Sequence, residues 1–203
     1  MSGLCSTLLE KCIASDCANP LYAGVAPEAL IANFDDVASV TYDQTNASIV
    51  NGITMKTETV NDETVSKCFY SVQQLGNEPF AESNTTMVEG TYGNRVQHEI
   101  HLAVVDNGPE ITEGVIDRLL NGRFVVILTN DYRHANGDNK YQIYGLNKGL
   151  KCTAMERQFY GDNESAYLIT LTEAGAAKSG LFFYSTDATT TDTAYEALKC
   201  TCE

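Results

Sequence analysis

Residues 123–131, RFVVILTND, constrain the fold of this chain more narrowly than any other segment. The run from Phe124 to Leu128 is wholly apolar, rich in β-branched side chains, and of strand rather than helix length. A strand points successive side chains to opposite faces, so a run that is apolar on both needs cover on both. The chain must therefore build layers on either side of this strand. Two neighbouring segments offer material for them. Residues 95–105, RVQHEIHLAVV, alternate, with Val96, His98, Ile100 and Leu102 set against Gln97, Glu99 and His101. Between the two strands, Gly108-Pro109-Glu110 opens a helix with Pro in the first turn and Glu110 and Glu113 near the positive end of its dipole. Ile111, Val115, Ile116, Leu119 and Leu120 form its apolar stripe, and Asn121-Gly122 closes it.

The rest of the chain reads mostly as strands and turns. Residues 3–17 have helical period, with Leu4, Leu8 and Cys12 on one face, and Asn19-Pro20 stops the pattern. Pro27-Glu28 then suggests a short helical turn through Ala32. From Asp36 onward the runs VASVTYD, GITMKTETV and VSKCFYSVQQL have β texture, with Asn51-Gly52 as a tight turn between two of them. Residues 76–94 are polar and glycine-rich, the composition of a long loop or extended hairpin. The turn at 132–139, centred on Asn136-Gly137, leads back into KYQIYGL, and further strands follow at 150–157 and 166–172. Thr193 and Glu196 fit a capping box for a last short helix. The expected fold class is mainly β with helices (α+β). It takes the form of an antiparallel β-sandwich or incomplete barrel of about eight or nine strands, with one flanking helix near 109–121 and helical termini. Residues 1–33 form a helical arm and 34–203 a single domain.

The formal charge of −14, from 27 acidic and 13 basic side chains, argues against a sequence-reading nucleic-acid binder, because Lys and Arg supply most of that affinity. No apolar run reaches the roughly 18 residues of a membrane span, and no basic segment precedes an apolar core at the N-terminus. The expectation is a product that stays in the cytoplasm where it is made. Seven cysteines (5, 12, 17, 68, 152, 200 and 202) are an odd number, and a cytoplasm keeps thiols reduced. Cys200-Thr201-Cys202 lacks the spacing of a structural zinc site, so buried or unpaired thiols are expected throughout.

The catalytic readings fare no better. His98 and His101 are three apart in a strand and so face opposite sides, which prevents them from sharing a metal. His134 sits in a polar turn. Cys68 and Cys152 fall in strands without a nucleophile-elbow pattern. The carboxylates Asp35-Asp36, Asp62-Glu63, Asp162 and Glu164 sit where turns and helix starts need them. No glycine-rich phosphate cradle occurs, and DYRHANGDN places Arg133 and Ala135 where an EF-hand needs ligands. No catalytic residue, cofactor or metal site is expected.

In order, the segments EITEGVIDRLLNGRFVVILTND, KYQIYGLNKGLKCTAMERQFYGDNESAYLITLTE and LFFYSTDATTTDTAYEAL cover about half of the chain. Their succession resembles the tail-tube-like structural proteins of tailed bacteriophages, of the type found in phages of Bacteroidota hosts. The resemblance implies a virion protein that is not an enzyme, made in the host cytoplasm and built into a tail tube or tail ring. Copies close into rings, sixfold by implication, by joining inner sheets, and rings stack through loops and terminal arms. Partners are then other copies and other phage tail or connector proteins, with DNA passing unbound and no membrane involved. By their position in arm and loops, Leu4, Leu8, Cys12, Phe80, Met87, Tyr92 and Tyr132 are the expected interface residues. A tail hub, connector or capsid-associated protein is the nearer alternative. A small cytoplasmic β-rich enzyme or ligand-binding domain is the alternative of another class.

Overall fold

A computed structural model describes residues 24–60, 62–74, 79–91, 93–105, 108–131, 133–157, 159 and 166–200. The strands are β1 (Val25–Asn33), β2 (Val37–Tyr42), β3 (Ile49–Met55), β4 (Thr57–Val60), β5 (Glu63–Ser66), β6 (Tyr70–Gln73), β7 (Asn84–Val88), β8 (Arg95–Val104), β9 (Phe124–Asn130), β10 (Tyr141–Tyr144), β11 (Lys151–Arg157), β12 (Tyr167–Ala176) and β13 (Leu181–Phe183). Between β8 and β9 run α1 (Pro109–Ile111), a wider π-helical turn (Thr112–Ile116) and α2 (Asp117–Asn121), and the last helix is α3 (Ala188–Ala197). The strands form a seven-stranded sheet in the order β2-β3-β13-β10-β9-β1-β6, a four-stranded sheet β11-β12-β8-β7, and the β4-β5 hairpin. Neither of the two larger sheets closes into a barrel, and the fold is mainly β with helices.

The apolar strand β9 lies near the middle of the larger sheet, between β10 and β1. Phe124, Val126 and Leu128 enter one core with Ile100 and Leu102 of β8, Ile169 and Leu171 of β12, and Ile116 and Leu119 of the helical segment. Val125 and Ile127 enter a second core on the opposite face, with Leu30, Phe69, Ile143, Phe183, Tyr195 and Leu198. Both faces of the strand are covered, one by the second sheet and the helical segment, the other by α3. At roughly 2 kcal/mol for each buried aliphatic or aromatic side chain, β9 alone contributes about 10 kcal/mol of gross transfer free energy before chain entropy is subtracted.

β1 departs from expectation. Residues 27–32 are extended rather than helical, and β1 pairs with both β6 and β9. Residues 25–33 therefore belong to the domain, not to an arm, and the segment 1–23 lies outside the described residues. Ala, Glu and Leu favour helix weakly, but here Ala29 and Ile31 face one core and Leu30 and Ala32 the other. Pro27 is tolerated because the register with β9 shifts between Val25 and Ala29, where no ladder donor is needed from it. Asn51-Gly52 also lies inside a strand, β3. The turn before β3 is organised instead by Asp43, whose Oδ1 accepts the N–H groups of Thr45 at 2.8 Å and Asn46 at 2.7 Å.

Two further boundaries move. The π-helical turn rotates the face that follows it, so Ile116 and Leu119 are buried while Val115 and Leu120 remain exposed. α3 is capped by Asp187, whose Oδ1 accepts from Thr190 N–H at 2.9 Å, and Thr193 and Glu196 lie within the helix instead of boxing its start. Pro109 does open the central helical segment, and Gly122 ends it. A Cβ at Gly122 would lie 2.3 Å from the Phe124 ring, so the close packing of the helix end onto β9 requires glycine.

Candidate assembly surface

The four-stranded sheet presents two unlike faces. Val96, His98, Ile100 and Leu102 of β8 and Ile169, Leu171 and Glu173 of β12 point inward and are buried. The opposite rows are mostly polar or small: Arg95, Gln97, Glu99, His101 and Ala103 on β8, against Ala174, Thr172, Thr170 and an exposed Leu168 on β12. Hydrogen bonds order this outer face, from Gln97 Nε2 to Glu99 Oε1 at 2.6 Å and between the Thr153 and Thr172 hydroxyls at 2.7 Å. Every pairing in this sheet is antiparallel, and its edges are β7 and β11.

β7, NTTMV, carries no charge and no proline, and all five of its residues are exposed. Natural sheets usually blunt an edge with lysine, proline or a bulge, because exposed ladder groups recruit another chain. β7 has none of these, and Met87 and Val88 are 62% and 42% exposed. At the other edge, Met155 of β11 is 41% exposed. Beside it, the Arg157 guanidinium lies 4.7 Å from the centroids of both Phe159 and Tyr167.

Of the expected interface residues, Met87 is on the surface, where its sulfur accepts from Asn94 Nδ2 at 3.3 Å. Phe80 is not: it fills the core between the sheets, 4% exposed, and its aromatic bulk is used for packing. Leu4, Leu8, Cys12, Tyr92 and Tyr132 lie outside the described residues. The sequence did not mark Val88, Met155 and Arg157 as edge-strand residues, because an edge strand has no local signature that separates it from an inner one.

Two buried polar groups hold the layers together. Glu173, 2% exposed, accepts N–H groups of Gly145 and Asn147 at 3.1 Å and of Lys148 at 2.8 Å, tying β12 to the turn that follows β10 in the other sheet. Gly145 has φ +88°, and a Cβ there would lie 2.4 Å from the Phe124 carbonyl oxygen, so this close approach depends on glycine. Opposite Glu173 across the ladder is His98, 3% exposed, whose Nδ1 lies 2.9 Å from Thr85 Oγ1 and whose Nε2 lies 3.0 Å from the Lys178 carbonyl. Burial holds its pKa below the ordinary imidazole value, while the Lys178 carbonyl and the Glu173 charge act in the opposite sense. The inward phase of Glu173 was visible in the alternation Ile169, Leu171, Glu173, a signal that points to a buried carboxylate.

His101 faces outward and is half-buried, so the two strand histidines do not converge, and His134 pairs with Asp138 at 2.7 Å in the exposed turn. Asp35 pairs with Arg123 at 2.6 Å. Among the described residues, no group of three His, Cys, Asp or Glu side chains could hold a metal ion. The expectation of free thiols fails at Cys68 and Cys200, which form a disulfide with their Cα atoms 5.1 Å apart. Cys152 is half-buried, and burial pushes its thiol pKa up, which disfavours the nucleophilic thiolate.

A cavity of about 890 Å³ lies between β1, β6 and the helical segment, lined by Ile31, Tyr70, Val72, Val115, Arg118 and Leu119 among others. Comparison with protein-family models, with curated proteins and with solved structures finds no match.

Proposed function

We propose that this chain is a virion structural protein of a tailed phage, a tail-tube or tail-ring subunit that assembles with copies of itself into a ring through which DNA passes. The observation that carries the reading is β7, an uncharged edge strand whose five residues are all exposed and which carries no lysine, proline or bulge. β11 and β7 run antiparallel to each other at opposite edges of one sheet. Joining β7 of one copy to β11 of the next therefore continues the antiparallel alternation. Such a contact is head-to-tail, and it closes into a ring when the rotation per copy divides a full turn. The polar outer face of the sheet would then line the lumen. On that side Glu99 and Glu156 are balanced by Arg95 and Lys151, so it is the net charge of −14 for the chain as a whole that would keep phosphates off the wall. Sixfold closure follows from the resemblance described above, as do the tail and connector partners and the virion location. The subunit's work on this reading is assembly rather than catalysis.

The 890 Å³ cavity favours a second reading, a small ligand-binding domain that acts as a monomer. Negative-stain microscopy and mass determination of the purified protein separate the two. Rings or tubes support the first reading, whereas a strict monomer at high concentration that takes a small molecule in the cavity would sink it. Counting copies in the virion then separates a tube, with many stacked rings, from a hub or connector, with one.

A further inference from the structure

The disulfide joins two places that the fold has already brought together. Cys68 lies between β5 and β6, and Cys200 follows α3. Next to them, Phe69 and Lys199 form a parallel bridge, in which Phe69 N–H donates to the Leu198 carbonyl and Cys200 N–H to the Phe69 carbonyl, both at 2.8 Å. Phe69 is fully buried and Leu198 nearly so. Lys199 Nζ reaches Glu28 Oε1 of β1 at 2.8 Å and Glu196 Oε1 at 2.9 Å. Upstream, α3 is held by the Tyr141–Tyr195 stack at 4.0 Å and by Asp192, which receives Lys140 Nζ at 2.6 Å and the Tyr141 hydroxyl at 2.9 Å. None of these contacts needs the sulfur–sulfur bond. They position the two thiols whether or not the bond exists.

We infer that Cys68–Cys200 is a redox latch, made after folding, that locks the end of α3 onto the β6 edge of the seven-stranded sheet. Two cores on either side of β9 give a chain of 203 residues enough buried surface to fold without a staple. Both cysteines are half-buried, so a small reagent can reach them. The oxidant is a low-molecular-weight disulfide. A thiolate of one cysteine attacks it and releases one small thiol. The second cysteine then displaces the other small thiol from the mixed disulfide, so the two protein thiols lose two electrons and two protons in all. In a reducing compartment the latch is open and the chain is folded. After transfer to an oxidising medium the latch closes and the end of α3 is fixed to the β6 edge. This inference stands on the geometry of the chain itself and does not depend on the ring reading.

The test uses the full chain carrying Cys202→Ser, because trypsin would otherwise release Cys200 and Cys202 on one peptide. Protein prepared under reducing conditions, with thiols blocked by N-ethylmaleimide at lysis, is compared with protein exposed to oxidised glutathione. The expected result is a cross-link between peptide 68–95 and peptide 200–203 only after oxidation. Circular dichroism should be unchanged, and the oxidised form should melt about 10 °C higher, as expected for closing a loop of this length in a chain of this size. Hydrogen exchange in the reduced form should rise at residues 66–74 and 198–200 alone. The double variant Cys68→Ser with Cys200→Ser should fold normally, with a melting temperature that ignores the oxidant. Oxidation that pairs Cys200 elsewhere, equal melting temperatures in the two states, or a double variant and a reduced parent that both fail to fold would each overturn the latch.

Discussion

Removing the Glu173 carboxylate should cost more stability than any conservative change in the apolar core around it. Glu173 is 2% exposed and accepts three backbone N–H groups from the turn after β10. In Glu173→Ala the Gly145 donor, which is buried, is stranded at a cost of about 2–3 kcal/mol. Asn147 and Lys148 are exposed residues whose N–H groups can turn to water, so each loses only about 0.5–1 kcal/mol. The sum is about 3–5 kcal/mol, equivalent to a fall in melting temperature of about 6–20 °C for a chain of this size. Glu173→Gln keeps one acceptor oxygen and should lose about half as much. Glu173→Leu is the decisive control. It restores the apolar volume but satisfies none of the donors, and the cost of a buried unpaired group predicts a loss close to that of alanine. Urea unfolding of the three variants measures the differences directly. If the leucine variant matches the parent, or the alanine variant lies within about 1 kcal/mol of it, the turn does not depend on the carboxylate. The account of how the sheets are joined would then fail.

Three other outcomes follow from the same structure. Thr86→Lys places a charge on the outward row of β7, and it should abolish rings while leaving the melting temperature within about 2 °C, read by microscopy and calorimetry. An unfolded monomer or intact rings would both count against the edge-pairing reading. Because burial lowers the pKa of His98 in the folded chain, the unfolded chain binds more protons as the pH falls below about 6.5. The stability contributed by neutral His98 is therefore complete above that value and is lost as the pH drops through the lower folded pKa. Urea midpoints from pH 7 to 5 should fall less steeply in His98→Gln, and identical slopes would refute the assignment. The buried Tyr195 hydroxyl interacts with the Thr129 side chain but does not reach hydrogen-bond geometry with any described residue. Tyr195→Phe should accordingly be neutral or stabilise by up to about 1 kcal/mol in denaturant unfolding, with a clear loss of stability as the contrary result.

Elements whose signal is local were legible in the sequence. β9 announced a two-sided strand because five apolar residues in succession leave no polar face, and the helical segment was marked by Pro109 at one end and Gly122 at the other. β8 could be phased residue by residue, which set His98 on the face of Val96, Ile100 and Leu102 and His101 on the other; the structure buries the first face. β1 was misread because APEALIA has acceptable helix formers, and local preference of a few tenths of a kcal/mol per residue cannot compete with burial on both faces. The start of α3 was misplaced for a related reason. Several Ser, Thr and Asp residues could each cap it, and only the packing of Tyr195 and Leu198 selects Asp187.

The sequence alone determined that this chain is a layered, mainly β protein with one well-delimited helical segment, because periodicity and caps act within a few residues. Only the tertiary structure decided that β7 and β11 are the edges of the smaller sheet, that Phe80 packs inward, that Glu173 joins two sheets, and that Cys68 meets Cys200. Each of these is a relation between segments far apart in the chain. The disulfide spans 132 residues. Such relations are set by which surfaces meet when the layers stack. No window of sequence contains both partners, so the physics that pairs them is absent until the chain has folded.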